Sequence, residues 1–355
     1  MRGLAAAIMV QGHVFESWVR PEDRSGEWFW LSQFLGGLPA PVFLFLVGVS
    51  LAMVLDRMRA KGATRLELAA RVARRGAWIL ALAYVFRIEQ WLVWYPSSRW
   101  SDIFRVDTLN CIAVCSLAIG FFSVLFTTRR ANLFAMAAAA IAVVGLTPFL
   151  YPLRGGVHPF LLSYINGGGD VSYFSLVPWV SFALAGIAFG YALIEARARR
   201  LERRFFGWVA GVGIASYTAG TLMSYFPVFE YGFFDYSVTS PHFFLFRFGL
   251  VLLILYGGYM WSQRGGGENW SPLQALGRAS LVVYWIHIEL VYGRVFPHYS
   301  RALDIASAAR HLLWIGPAML LMAAAWNRPS WRRQRTPEES ASTMLPSMAG
   351  SDSGK

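Results

Sequence analysis

Ten stretches of about twenty mostly apolar residues succeed one another along this chain, near 3–19, 38–56, 76–95, 108–126, 131–151, 173–195, 205–225, 241–261, 277–295 and 303–326. A helix rises about 1.5 Å per residue, so a run of roughly 20 crosses a hydrocarbon core about 30 Å thick. In lipid every backbone N–H and C=O must find its partner inside the structure, and runs this long satisfy that requirement as helices. The expected fold is therefore all-α, a polytopic membrane helix bundle of about ten transmembrane helices. Residues 1–326 form one integral-membrane domain with no room for a soluble one between spans. The polar, Ser-rich stretch 327–355 reads as a disordered cytoplasmic tail.

The net charge of +12 suggests a polyanionic partner until its placement is considered. Arg57, Arg59, Lys61, Arg65, Arg71, Arg74 and Arg75 fill the second connection. Arg197, Arg199, Arg200, Arg203 and Arg204 fill the sixth, and the tail adds Arg328, Arg332, Arg333 and Arg335. Residues 226–240 hold Glu230 and Asp235 and no Lys or Arg. Basic connections stay on the cytoplasmic side, so ten spans with both termini inside satisfy the pattern. The charge records topology: the partner is the lipid bilayer, and no nucleic acid is expected. Cys111 and Cys115 are the only cysteines, four apart in one helix, and read as packing residues. Gly186 and Gly190 form a small-xxx-small pair suited to close helix packing. No P-loop, zinc-protease motif or dinucleotide glycine pattern is present, and no metal is expected.

Ionisable groups at membrane depth need a reason, since each costs at least about 2.5–3.5 kcal/mol near the bilayer centre. His13 lies roughly 8 Å below Trp18, the expected outer interface, and Glu16 is its neighbour on the same helical face. Glu16 can hold the imidazole in one tautomer and leave the other nitrogen as a base. The plainer reading puts Glu16 among headgroups and His13 in a structural hydrogen bond. Arg87 sits about 18 Å along its helix from Arg75 and shares a face with Gln90 and Trp91. Arg87 and Arg247 each read equally as a structural partner or as an anchor for substrate charge. Asp107 suits a helix N-cap as well as it suits a site, whereas Asn110 lies too far inside its helix for capping. His287 lies about 15 Å from Gly277 with Tyr284 on its face and Glu289 pointing elsewhere. Two histidines at similar depth favour one shared polar cavity.

Arg2 and His13 are separated by ten residues, which resembles the Arg-x10-His signature of the acyltransferase-3 superfamily of membrane acyltransferases. "PAPVFLFLVGVSLAM", "RVDTLNCIAV", "FSLVPWVSFALAGIAFGY", "SPHFFLFRFGLVLL" and "LGRASLVVYWIHIELVYG" more closely resemble the related heparan-α-glucosaminide N-acetyltransferase catalytic-domain family. Their order along the chain carries more weight than any single block. The resemblance implies an enzyme of the bacterial inner membrane that moves an acetyl group from cytoplasmic acetyl-CoA to a sugar across the bilayer. It also implies that His13 is the catalytic histidine of the first helix. Asp107 and Asn110 match polar positions of the fourth-helix block, where bacterial relatives often carry His in place of Asn110. Relatives usually carry an acidic residue shortly before the Arg-Gly, whereas here Met1 abuts Arg2, and the sequence does not tell whether the true start lies upstream.

Acyl transfer needs a base for the acceptor and donors for the tetrahedral oxyanion. His13 suits the first role, and Asn110, His287 or Arg87 the second. Tyr284, Arg87 and Arg247 are candidates for holding substrate. Arg2, Arg74, Arg75 and Arg278 are candidates for CoA phosphates, against the ordinary basic bias of cytoplasmic ends. The rival class is a transporter or lipid flippase with a central polar cavity, but no two halves of matching pattern are found. The motifs do not separate an acceptor amine from an acceptor hydroxyl, nor do they give an oligomeric state.

Overall fold

A computed structural model describes residues 1–150, 156–167, 172, 174–226, 240–264 and 271–327. The expected tail and the loop acids Glu230 and Asp235 lie outside these residues. The described chain is helical throughout, with only isolated bridges at Val19–Leu303 and Val106–Ser172. The helices are α1 (Arg2–Trp18), α2 (Glu27–Gly36), α3 (Pro39–Ala60), α4 (Arg65–Val93), α5 (Thr108–Val124), α6 (Arg129–Leu150) and α7 (Pro159–Ile165). They continue as α8 (Leu176–Ala198), α9 (Glu202–Met223), α10 (Pro241–Gln263), α11 (Pro272–Arg278), α12 (Ser280–Tyr292) and α13 (Ile305–Trp326).

Seven segments are long and apolar enough to cross a membrane: Glu27–Ala60, α4, α6, α8, α9, α10 and α13. The other three windows fall on α1, α5 and the α11–α12 pair, of which α5 and α12 are apolar but shorter than a full span. The ten windows thus all fall on helices, and the chain reverses direction between them. One end of the bundle gathers Arg2, Arg59 and Arg75; the other gathers Trp18, Trp94 and Trp100.

Three features depart from the sequence expectation. α4 starts at Arg65, inside the expected second connection, because Thr64 and Glu67 form a reciprocal capping box there. Its 29 residues are about 43 Å long, so Arg71, Arg74 and Arg75 ride on a helix and only residues 61–64 turn. The ninth window breaks at Ala279 into α11 and α12. This break lets α1 meet α11 backbone to backbone: a Cβ added at Gly3 would lie 1.8 Å from the Leu273 carbonyl oxygen. Finally, α2 descends beside α1 as an unforeseen helix, with Gly36 against Gly12 so closely that a Cβ on Gly12 would lie 2.7 Å from Gly36 Cα.

The centre of the bundle is the crossing of α3 and α8. Leu44, Phe45, Phe182, Ile187 and Tyr191 are fully buried there. Gly48 and Gly186 let the backbones touch, since a Cβ on Gly186 would lie 2.0 Å from the Phe45 carbonyl oxygen. In lipid such packing replaces the hydrophobic effect as the force between helices. Gly186→Leu should therefore push α8 off α3 and lower the thermal midpoint in detergent by several degrees or prevent a monodisperse product. Gly211→Ala, at a position with open space around it, is the control expected to leave the midpoint unchanged. Equal midpoints for the two variants would contradict this packing.

The loop entering α13 fixes α1 at the tryptophan end. Arg301 and Leu303 donate backbone bonds to the Ser17 and Trp18 carbonyls at 2.9 Å each. The Ser17 hydroxyl and the Trp18 indole N–H both donate to the Val291 carbonyl, an unpaired acceptor in the last turn of α12. Trp18 is thus fully buried by these partners and does not mark a lipid interface. The same bonds set the register of α1 against α12, and with it the meeting of two histidines.

Candidate active site

His13 of α1 and His287 of α12 meet across that interface, Nδ1 to Nε2, at 2.8 Å with their rings 13° from parallel. The Nδ1 of His287 is 2.7 Å from the Val283 carbonyl oxygen. A carbonyl only accepts, so His287 Nδ1 carries the proton and, in a neutral ring, Nε2 carries the lone pair. His13 must then donate through its own Nδ1, which leaves its Nε2 as the basic nitrogen. No protein group in the described residues occupies that nitrogen. His287 is fully buried behind His13, and His13 lines a cavity of about 820 Å³ at the tryptophan end.

The cavity also takes Glu16 from α1, Gln33, Gly36 and Gly37 from α2 and its end, and Arg87, Gln90, Trp91 and Trp94 from α4 and its end. Asp102, Arg105 and Asp107 enter from the segment before α5, and Tyr284 and Tyr292 from α12. Arg87 is held by backbone: Nε and Nη2 donate to the Asp102 carbonyl at 3.0 and 2.7 Å. Among the described residues no carboxylate forms an ion pair with it; Asp107 is an electrostatic neighbour, and Arg87 lines the cavity. Asp107 caps α5, its Oδ1 accepting from the Leu109 and Asn110 amides at 3.0 and 3.3 Å. Its Oδ2 is buried with no partner, as is the Trp91 indole nitrogen. Tyr284 stands edge-on to His287 with centroids 6.0 Å apart.

Several expected site residues are placed otherwise. Glu16 makes no hydrogen bond to His13; its Oε2 accepts from the Tyr292 hydroxyl at 2.5 Å, and the Tyr292 ring stands edge-on to His13. Sharing a helical face put the two residues side by side, but α12 brings both partners, so His287 orients His13 where Glu16 was expected to. Asn110 is fully buried behind the wall, donating to the Tyr164 hydroxyl at 3.1 Å, with Tyr84 beyond at 2.8 Å. Arg247 lies outside the cavity wall. It donates to the Phe34 carbonyl at 2.6 Å, within 5.2 Å of the Phe34 ring, and so caps α2. Glu289, off the face of His287 as expected, accepts from Gln90 and so ties α12 to α4. Arg2, Arg74, Arg75 and Arg278 lie at the opposite end of the bundle; Arg2 and Arg71 are electrostatic neighbours of Arg75.

Sequence reasoning placed Trp91 on the face of Arg87 but missed α2 and the contribution of Trp94 to the wall. The run "EWFWLSQFLG" carries four aromatic residues and was too short to register as a span.

The family model described as "Heparan-alpha-glucosaminide N-acetyltransferase, catalytic" matches residues 1–227. The chain belongs to the heparan-alpha-glucosaminide N-acetyltransferase catalytic family. No curated protein sequence matches it significantly. Membership of this family implies a membrane acetyltransferase. The matched region carries His13, Glu16, Arg87 and Asp107, so the cavity belongs largely to the family's domain. His287 and Tyr284 come from beyond it and complete the site from the second half of the chain. Among the described residues no three His, Cys, Asp or Glu side chains converge as a metal site.

Proposed function

We propose that this chain moves an acetyl or other short acyl group from acetyl-CoA to an amine or hydroxyl of a sugar held in the cavity, with His13 as general base. The observation that carries this reading is the unoccupied Nε2 of His13 on the cavity wall, fixed in the basic tautomer by His287 and Val283.

The acceptor nitrogen or oxygen attacks the thioester carbonyl carbon while His13 Nε2 takes its proton. The carbonyl π electrons move to oxygen, and Arg87 stabilises the resulting oxyanion with the guanidinium edge left free by Asp102. Collapse re-forms the C=O bond and breaks the C–S bond. The proton on His13 Nε2 then passes to the departing CoA thiolate, which restores the base. At the basic end, Arg2, Arg74, Arg75 and Arg278 hold the CoA phosphates, since several guanidiniums gathered there suit phosphate oxygens. Arg2 and His13 are eleven residues apart on one helix, about 16 Å, which is the distance the acyl-bearing arm has to reach.

In this reading the basic end is cytoplasmic, both termini lie inside, and the sugar enters from the periplasmic side of a bacterial inner membrane. Cys111 and Cys115 are buried, so engineered cysteines can be labelled selectively. Lys61→Cys is expected to react with a membrane-impermeant maleimide only after the cells are opened, and Ser25→Cys in intact spheroplasts. The reverse result, or both residues on one side, would overturn the orientation.

A further inference from the structure

Two buried polar atoms in the cavity wall have complementary unmet needs. Asp107 Oδ2 is an acceptor without a donor, and Trp91 Nε1–H is a donor without an acceptor. Buried polar groups in native proteins are nearly always hydrogen-bonded, so each such atom calls for a ligand or an ordered water. For Asp107 the division of labour is explicit. One carboxylate oxygen is used by the α5 cap, and the second, although the carboxylate lies in the field of Arg87, accepts no hydrogen bond from any described residue. Capping and ligand binding are therefore not alternatives here, because each oxygen has its own task. Trp91 is held by a stack on Trp100, 4.6 Å between centroids and 27° between planes, so its N–H is fixed in direction. Trp94 extends the aromatic wall beside it.

We propose that Asp107 Oδ2 and Trp91 Nε1 form the acceptor-reading subsite of this cavity, the first taking a hydroxyl or ammonium hydrogen and the second giving its hydrogen to an oxygen of the same sugar ring. A polyhydroxylated ring offers both kinds of group at fixed spacing and an apolar face for the tryptophans. A site built to bond a hydroxyl discriminates strongly against an analogue lacking it, because its own buried group is then left unpaired. This assignment rests on the acyl-transfer reading for its kinetic test but not for its binding test.

The decisive substitutions keep the local structure. Asp107→Asn retains a good N-cap through its amide oxygen and turns the Oδ2 acceptor into a donor. Trp91→Phe keeps the aromatic packing and removes only the N–H and one ring. With the full chain in detergent, labelled acetyl-CoA and methyl glucosaminide, wild-type protein is expected to lose about 10- to 10²-fold in kcat/KM with at least one of the 3-, 4- and 6-deoxy analogues, the scale of leaving one buried group unpaired. Asp107→Asn and Trp91→Phe should each lower kcat/KM for the parent sugar and reduce one analogue's penalty to about threefold or less. In a second arm without acetyl-CoA, methyl glucosaminide should raise the thermal midpoint of wild type, and raise that of the variants less. Wild-type discrimination and wild-type midpoint shifts in both variants would overturn the subsite while leaving acyl transfer standing. Midpoint shifts lost in the variants with no transfer by wild type would support the subsite and remove the transfer reading. Neither transfer nor a midpoint shift in wild type would overturn both.

Discussion

His13→Ala is expected to lower acetyl transfer by about 10²- to 10⁴-fold, the range over which a positioned base contributes. The substitution removes the one basic imidazole nitrogen that faces the cavity among the described residues and leaves the α3–α8 core untouched. It also takes the donor from His287 Nε2, and an unmet buried acceptor costs about 1–3 kcal/mol unless water from the neighbouring cavity replaces it. The chain should therefore still purify as a folded species, with a modest fall in thermal midpoint. His13→Gln makes the test sharper: its amide can still donate to His287 Nε2, so stability should return towards wild type while transfer stays low. Transfer at the wild-type rate in either variant would remove His13 from the chemistry.

The second large effect concerns a residue that never touches substrate. His287→Phe keeps the ring volume but removes both the acceptor for His13 Nδ1–H and the bond to the Val283 carbonyl. His13 then loses its fixed tautomer, and part of the population presents an N–H to the acceptor where a lone pair is needed. We expect kcat to fall by about 10²-fold with KM for the sugar little changed, because an orienting partner acts through geometry and tautomer. His287→Gln has an oxygen to accept from His13 and an N–H to give to Val283, so it should restore most of the rate. A merely structural His287 would show the opposite pattern, with Phe tolerated in the buried site and Gln penalised.

Much of the architecture was legible because lipid imposes one rule on every segment: a run of apolar residues must close its own backbone bonds. Nine of the ten windows each fall on one helix for that reason, and the ninth falls on the α11–α12 pair. The same rule is silent about length beyond the bilayer, and so it missed the extra turns of α4, which depend on the local capping chemistry of Thr64 and Glu67. It is silent too about where two helices need their backbones to touch. The break at Ala279 and the pairing of Gly12 with Gly36 answer to that need and leave no periodic mark.

The site divides along a similar line. That His13 and His287 share a polar region follows from their depth on helices with few other polar groups. Which of His13's neighbours would orient it does not follow, because helical spacing fixes the face a residue takes and not the helix that covers it. Glu16 was the nearest carboxylate in sequence, but α12 delivered Tyr292 to Glu16 and His287 to His13. Arg247 shows the converse. A cation at membrane depth suggests a substrate, yet a carbonyl at a helix end and three phenylalanine rings already satisfy it. The unmet atoms of Asp107 and Trp91 could be found only with coordinates, since both residue types ordinarily complete their bonds within the protein.

The measurement that bears most directly on the function is the destination of the acetyl label. Purified wild-type protein would be incubated with acetyl-labelled acetyl-CoA and a panel of amino sugars and hydroxyl-bearing glycans, and sugars and protein analysed by mass spectrometry. An acyltransferase predicts label on a sugar amine or hydroxyl, free CoA released in equal amount, and neither product with His13→Ala. Unlabelled sugars and intact acetyl-CoA, with protein in sealed vesicles moving the sugar across the bilayer unchanged, would contradict it and make the cavity a transport site.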